Sequence, residues 1–223
     1  GTPVLVARTL VSVCFGSNDI RAIYQDYMPA VEAGDAQARD VALGQAATAG
    51  TIYGGTLEAV SSDPRFNDLL TFTTADAAAT PEYTTPDPLL GELVEVFNSQ
   101  LLASLATIED AGVNVFTVDV FGLQQQVAAN PAAFGFDNVT DACLTFEGGE
   151  PRLCDTPETY LFWDEVGHLS GAGHAALAGI VEETVIAQVT PIPLPATLPA
   201  LGAALAGFGL LRLRRRKLQD APL

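Results

Sequence analysis

The sequence predicts an α/β protein: a mostly parallel sheet with helices on both faces. Two observations carry that prediction. Apolar runs of strand length (Val4 to Phe15, Leu69 to Thr73 and Val113 to Val120) alternate with stretches of helical periodicity. The runs are continuous rather than alternating, as strands buried on both faces require.

Taken in order, VLVARTLVSVCF reads as a first buried strand, closed by Gly16. Ile20 to Met28 looks helical. Ala30 to Ser61 is Ala-rich and reads as one long helix, with Gly50 and Gly54–Gly55 as points where it would break. The second strand follows at Leu69 to Thr73, then a Pro- and Thr-rich connection from Ala78 to Pro88. Leu89 to Ile108 is an amphipathic helix. VNVFTVDV is the third strand, and Phe121 to Ala129 a helix ended by Asn130–Pro131. Phe134 to Pro157 is expected to be an irregular loop, and Gly173 to Val189 a last helix. In such sheets active sites gather at the carboxyl ends of the strands, so the residues just after each strand are the first candidates.

The chain has 223 residues and a formal net charge of −17, enough for one domain plus a tail. Five of its ten basic residues cluster near the end, at Arg212, Arg214, Arg215, Arg216 and Lys217. So acidic a body repels phosphate backbones, which argues against a nucleic-acid partner. Cys143 and Cys154 lie close together in a loop-like stretch, where one short disulfide in an oxidising compartment is the expectation. Cys14, inside an apolar run, is expected to be a small core residue. No CxxC or nearby His completes a zinc site, so no metal is expected. The start, Gly-Thr-Pro, runs within a few residues into a strand, which suggests a sequence truncated at its start.

Two places join polar residues to strongly apolar neighbours. One is Gly16-Ser17-Asn18-Asp19, after the first strand; the other is Phe162-Trp163-Asp164-Glu165-Val166-Gly167-His168. His168 has the chemistry of a general base, with Asp164 or Glu165 close enough in sequence to orient its ring. His174, inside the last helix, reads as a packing or surface residue. The Asn18 amide can donate to negative charge developing on a carbonyl oxygen. The plainer reading of the first segment is a turn Asn followed by an Asp that caps the next helix.

Together these segments resemble the SGNH (GDSL) hydrolases. Gly16-Ser17-Asn18-Asp19 is similar to the family's third sequence block, and Tyr160 to His168 to its fifth, where an Asp and a His complete a catalytic triad. Phe97-Asn98, Asn130 to Phe136 and Asn138 to Cys143 look like the larger extracellular branch, of phospholipase, lecithinase and haemolysin-like lipases. The resemblance runs from about Val4 to about Val189. It implies a flavodoxin-like three-layer α/β/α sandwich over residues 1–190 and a Ser-His-Asp ester hydrolase needing no cofactor. His168 would be the base, Asp164 the orienting acid with Glu165 as the alternative, and Asn18 an oxyanion donor flanked by Gly16, Ser17 and Asp19.

Two departures from the family pattern stand out. Asp164 lies four residues before His168 rather than three, with Gly167 as the apparent insertion, and Leu169-Ser170 stands where the family has Pro-Thr. The Gly-Asp-Ser block that carries the nucleophile is absent from the fifteen residues before Gly16. Ser17 sits at the variable position of its block, Ser170 follows His168 closely, and no Gly-Xaa-Ser-Xaa-Gly elbow exists. The expected fold therefore lacks its N-terminal strand or strands, with the neighbouring position of the first strand, or an apolar helix face, open to solvent. A chain of this kind would be inactive by itself, or be a non-catalytic surface or matrix protein on a decayed hydrolase fold. The ester substrate is left open between lipid, short acyl ester and acylated polysaccharide.

Residues 191–223 differ in kind. Pro191-Ile192-Pro193-Leu194-Pro195-Ala196 precedes an apolar stretch, Thr197 to Leu211, and then the basic cluster. That stretch is a little shorter than the ~20 residues of a free-standing span, and its charges place the C-terminus on the cytoplasmic side. The pattern resembles the PEP-CTERM sorting signal in its Val-Pro-Leu-Pro-Ala variant. It implies a C-terminal hydrophobic helix, export to the bacterial cell envelope or beyond, transient inner-membrane retention through residues 195–217, and processing by an exosortase-type enzyme.

Overall fold

The computed structural model describes residues 9–66, 68–83 and 87–188. The start of the predicted first strand and the whole sorting tail lie outside the described residues. In chain order the elements are β1 (Leu10–Val13), α1 (Ser17–Glu32), α2 (Ala36–Ser61), β2 (Asp68–Phe72), α3 (Pro88–Asp110) and β3 (Asn114–Val118). They continue with α4 (Val120–Ala129), β4 (Asn138–Glu147), β5 (Glu150–Leu153), β6 (Tyr160–Asp164) and α5 (Gly171–Gln188).

β1, β2 and β3 form a parallel ladder in that order, with Val11 beside Leu69 and Leu69 beside Val115. Because side chains alternate across a strand, the sheet has two apolar faces. Val11, Val13, Leu69 and Val115 meet α1, α2 and α3 on one side. Leu70, Phe116 and Val118 meet Leu177, Ile180, Val181 and Val185 of α5 on the other. The fold is thus an α/β/α sandwich, as the alternating runs predict. β4 pairs parallel with β6 and antiparallel with β5 in a second ladder.

The central helix is α3. Asp87 caps it, accepting hydrogen bonds from the Leu89 and Leu90 N–H groups at 2.8 and 3.4 Å, with Pro88 in the first turn. Leu90, Leu93, Val94, Phe97, Leu101 and Leu105 recur at helical spacing, and each is at most 2 % exposed. Truncating one such aromatic or leucine costs about 2–5 kcal/mol.

Several expectations need correction. The long Ala-rich segment is two helices, α1 ending at Glu32 and α2 starting at Ala36 under an Asp35 cap. Nor does α2 break at Gly50 or Gly54. A Cβ at Gly50 would lie 2.4 Å from the Phe97 carbonyl oxygen, and one at Gly54 2.2 Å from Ser104 Cβ. These glycines let α2 and α3 touch, so they serve packing rather than a break. Phe134 to Pro157 is no irregular loop: it holds the β4–β5 hairpin, with Cys143 and Cys154 joined by a disulfide across it. β6 was not anticipated as a strand.

Cys14 is exposed rather than in the core. The reason is β1 itself, which among the described residues pairs with β2 alone. Leu10 is 43 % and Phe15 60 % exposed, although the run they belong to has the composition of a strand covered on both sides.

Candidate active site

Gly16 turns the chain from β1 into α1. Its φ is +117°, and a Cβ there would lie 2.4 Å from Phe97 Cζ and 2.8 Å from Thr74 Oγ1. Only glycine satisfies both the angle and the space. Ser17 and Asn18 then open the helix, both exposed, with Asp19 in the first turn. The Asn18 side-chain amide makes no hydrogen bond to the described residues, so its N–H donors are free for a ligand.

The connection after β2 forms the floor beside this corner. Two side-chain amides clamp it. Asn98 of α3 accepts from the Thr74 N–H at 2.8 Å and donates to the Thr74 carbonyl at 2.9 Å. Gln124 of α4 does the same for Asp76, at 2.9 and 3.1 Å. Asp119 caps α4 and accepts the Thr73 hydroxyl, tying the ends of β2 and β3 together. The Thr74 hydroxyl is buried without a hydrogen-bond partner.

His168 follows β6. After Asp164 the chain doubles back, with the Trp163 N–H on the His168 carbonyl at 2.6 Å and the Gly167 N–H on the Asp164 carbonyl at 3.0 Å. Gly167 has φ +94°, and a Cβ there would lie 2.7 Å from Thr80 Cβ. The extra residue is thus taken up in a tight turn. Asp164 organises the turn: one carboxylate oxygen accepts the Val166 and His168 N–H groups, each at 3.1 Å. The other lies 2.7 Å from His168 Nδ1. A carboxylate can only accept, so Nδ1 carries a proton, and in the neutral ring the lone pair is then on Nε2. Burial pushes the Asp164 carboxyl up. The hydrogen bonds from the His168 ring and the two N–H groups outweigh this and hold it below the usual carboxylate range.

Glu165, the alternative acid, is exposed and makes no hydrogen bond or ion pair with His168. His174 is an exposed residue of α5. Ser170 is 1 % exposed; its hydroxyl donates to the Tyr160 carbonyl and accepts the Gly173 N–H, so it caps α5. Ser12, the one serine before Gly16, lies within β1 rather than at its carboxyl end.

Ser17, Asn18 and His168 line one cleft of about 210 Å³, with Ala75 and Thr80 from the connection after β2. The first, second and sixth strands therefore deliver their carboxyl-end residues to a common place. The cleft also holds Arg21, Glu82 and Tyr83, which the sequence reading did not single out. Arg21 pairs with Glu82. Arg21 was findable, since it lies one turn after Ser17 and Asn18 on the same helix face; Glu82 and Tyr83 carry no such signal. Among the described residues, no group of three or more metal-ligating side chains comes together.

Comparison with known proteins identifies the family. A GDSL esterase/lipase from Arabidopsis thaliana is 34 % identical over 94 residues, covering 37 % of this chain. The chain spans only a quarter (25 %) of that relative's length. The family model for GDSL-like Lipase/Acylhydrolase matches residues 5–181, nearly the whole described body. With 177 of 223 positions inside that match, the chain belongs to the GDSL-like lipase/acylhydrolase family.

Proposed function

We propose that this chain carries the base, acid and oxyanion side of a carboxylic ester hydrolase whose nucleophilic Ser comes from a segment pairing along the edge of β1 that no described strand covers. One observation supports this most: His168, with Nδ1 bonded to Asp164, shares a cleft with an unengaged Asn18 amide. The Ser hydroxyl would add to the ester carbonyl carbon while His168 Nε2 takes its proton. Asn18 would donate to the oxygen as it becomes negative. As the C–O bond to the alcohol breaks, His168 returns the proton to the departing alkoxide. Water then repeats the sequence on the acyl-enzyme and releases the carboxylic acid. Asp164 stays ionised throughout, holding the ring and favouring its protonated form.

The test is hydrolysis of a short-chain aryl ester by the protein as its gene encodes it, beside His168→Ala. Turnover should fall at least a thousandfold in the variant. Equal turnover in both would end this reading. The 223-residue chain alone should stay at the level of the variant. A second reading, a non-catalytic surface protein on the same fold, is favoured by the lack of Gly-Asp-Ser in these 223 residues. It predicts no His168-dependent turnover from the full-length protein either.

The tail adds a location to this reading. Its Pro-rich opening, apolar stretch and terminal basic cluster support export, retention by the inner membrane and cleavage by an exosortase-type enzyme. The C-terminal peptide of protein recovered from the cell envelope checks this: cleavage before the apolar stretch supports it, and soluble cytoplasmic protein that keeps the apolar stretch and the basic cluster contradicts it.

A further inference from the structure

Beside the His168 cleft lies a second cavity of about 120 Å³, between α4, β6 and α5. Ala75, Thr80 and Gly167 line both, so the two spaces share a wall directly beneath the turn that presents His168. Their chemistry differs. The cleft is rimmed by Asn18, Arg21, Glu82 and His168. The second cavity is walled by Leu123, Val127, Phe136, Phe162, Ala176 and Leu177. Its polar side chains are already committed. The Gln124 amide is spent on Asp76. The Thr80 hydroxyl donates to the Ala77 carbonyl at 2.8 Å. No side-chain N–H or O–H there is left free to bind a sugar or an anion.

An apolar cavity of this kind gains by filling its void with hydrocarbon. An apolar cavity of about 150 Å³ accepts benzene, so this one suits a chain of roughly four to six carbons. We infer that it is a side pocket for the hydrocarbon chain of a short-chain ester, and that it selects such esters over both acetyl and long-chain substrates. The inference rests on the ester-hydrolase reading of the adjoining cleft. It narrows that reading: a bulky polar acyl acceptor has no purchase here, whereas a butyl to hexyl chain matches the lining, and the wall that Ala75, Thr80 and Gly167 form is where such a chain would enter from the carbonyl's place beside His168.

The experiment uses the full-length protein and two substrate series, p-nitrophenyl esters from acetate to decanoate and alkyl acetates from methyl to octyl. The series whose kcat/KM peaks at four to six carbons, at least tenfold above its shortest member, identifies the acyl or the alcohol side as the one that enters. Ala176→Phe should abolish that preference, and Leu123→Ala should move its peak to longer chains. If the phenylalanine variant fails to fold, the alanine variant carries the test. Binding is read separately in His168→Ala protein by nuclear Overhauser contacts from 1-pentanol to the methyls of Leu123 and Ala176. Contacts without turnover in the parent protein support the pocket and sink the esterase reading. Turnover with no chain-length preference in either series, and no pentanol contacts, overturns the pocket and leaves the esterase reading standing.

Discussion

The Gly16–Asn18 corner is held from a distance, whereas the Asp164–His168 turn is held by itself. Phe97 and Thr74, from far along the chain, press on Gly16, and Asn98 locks Thr74 in turn. At the turn, one carboxylate makes three hydrogen bonds within four residues, and the His168 side chain remains 73 % exposed. The corner's geometry is thus coupled to the stability of the core, and the turn's is coupled to the ionisation of Asp164. An oxyanion donor gains from a rigid mounting, since preorganised dipoles need not reorganise as charge develops. A base that must exchange protons with substrate and water has to stay accessible.

That contrast breaks first at Asp164. Asp164→Asn keeps an acceptor for the two backbone N–H groups but no longer favours the Nδ1-protonated ring. Turnover by the full-length protein should fall by about 10⁴-fold, while its urea midpoint stays close to that of the parent. A large drop in stability would show that the turn is tied to the core after all. The reverse pattern is expected at the corner. Gly16→Ala meets both the positive φ and Phe97, and should cost about 3 kcal/mol in urea unfolding. Gly167→Ala meets a positive φ and Thr80 Cβ, but Thr80 is partly exposed and free to shift where Phe97 is buried, so it should cost about half as much. Equal losses at the two glycines would erase the distinction.

Asn98→Ala comes next. It leaves the Thr74 N–H and carbonyl unpaired in a buried place, worth about 2 kcal/mol. The Asn18 backbone resonance should shift with it, while His168 stays where it was. The smallest effect is that of pH. The folded-state pKa of Asp164 lies below its unfolded value. Its stabilisation of the turn is therefore fully present above the unfolded pKa of about 4 and is lost as pH falls through the lower, folded value. Carboxyl-carbon NMR should show Asp164 still ionised at pH 4, when exposed carboxylates are half protonated. Titration at the ordinary value would mean that the His168 contact does not form in solution.

How much of this was legible in the sequence follows from where the causes lie. The three parallel strands were readable as short continuous apolar runs, and α3 by its helical spacing, because burial is written into the residues themselves. The β4–β5 hairpin was not. All four residues of β5 are exposed and only Cys143 of β4 is buried, so no apolar pattern marks them. Gly50 and Gly54 looked like breaks because their reasons, the Phe97 carbonyl and the Ser104 side chain of α3, lie 47 and 50 residues further along the chain. Cys14 looked buried because the composition of β1 answers to neighbours on both sides, and the described sheet supplies one. At the site, His168 and Asn18 stood out by residue type and position after a strand. Which carboxylate would meet the ring was not decided by spacing. It depends on Asp164 folding back on the N–H groups of Val166 and His168 in a local turn, a geometry that the longer, exposed Glu165 does not share.

The central claim, that Asn18, Asp164 and His168 serve one activated serine, is tested most directly by covalent labelling with a fluorophosphonate. The protein as its gene encodes it should be labelled at a single serine upstream of β1, with Asp164→Asn much slower and His168→Ala unlabelled over the same time. Labelling of Ser17, or labelling at an undiminished rate in His168→Ala, would contradict the account.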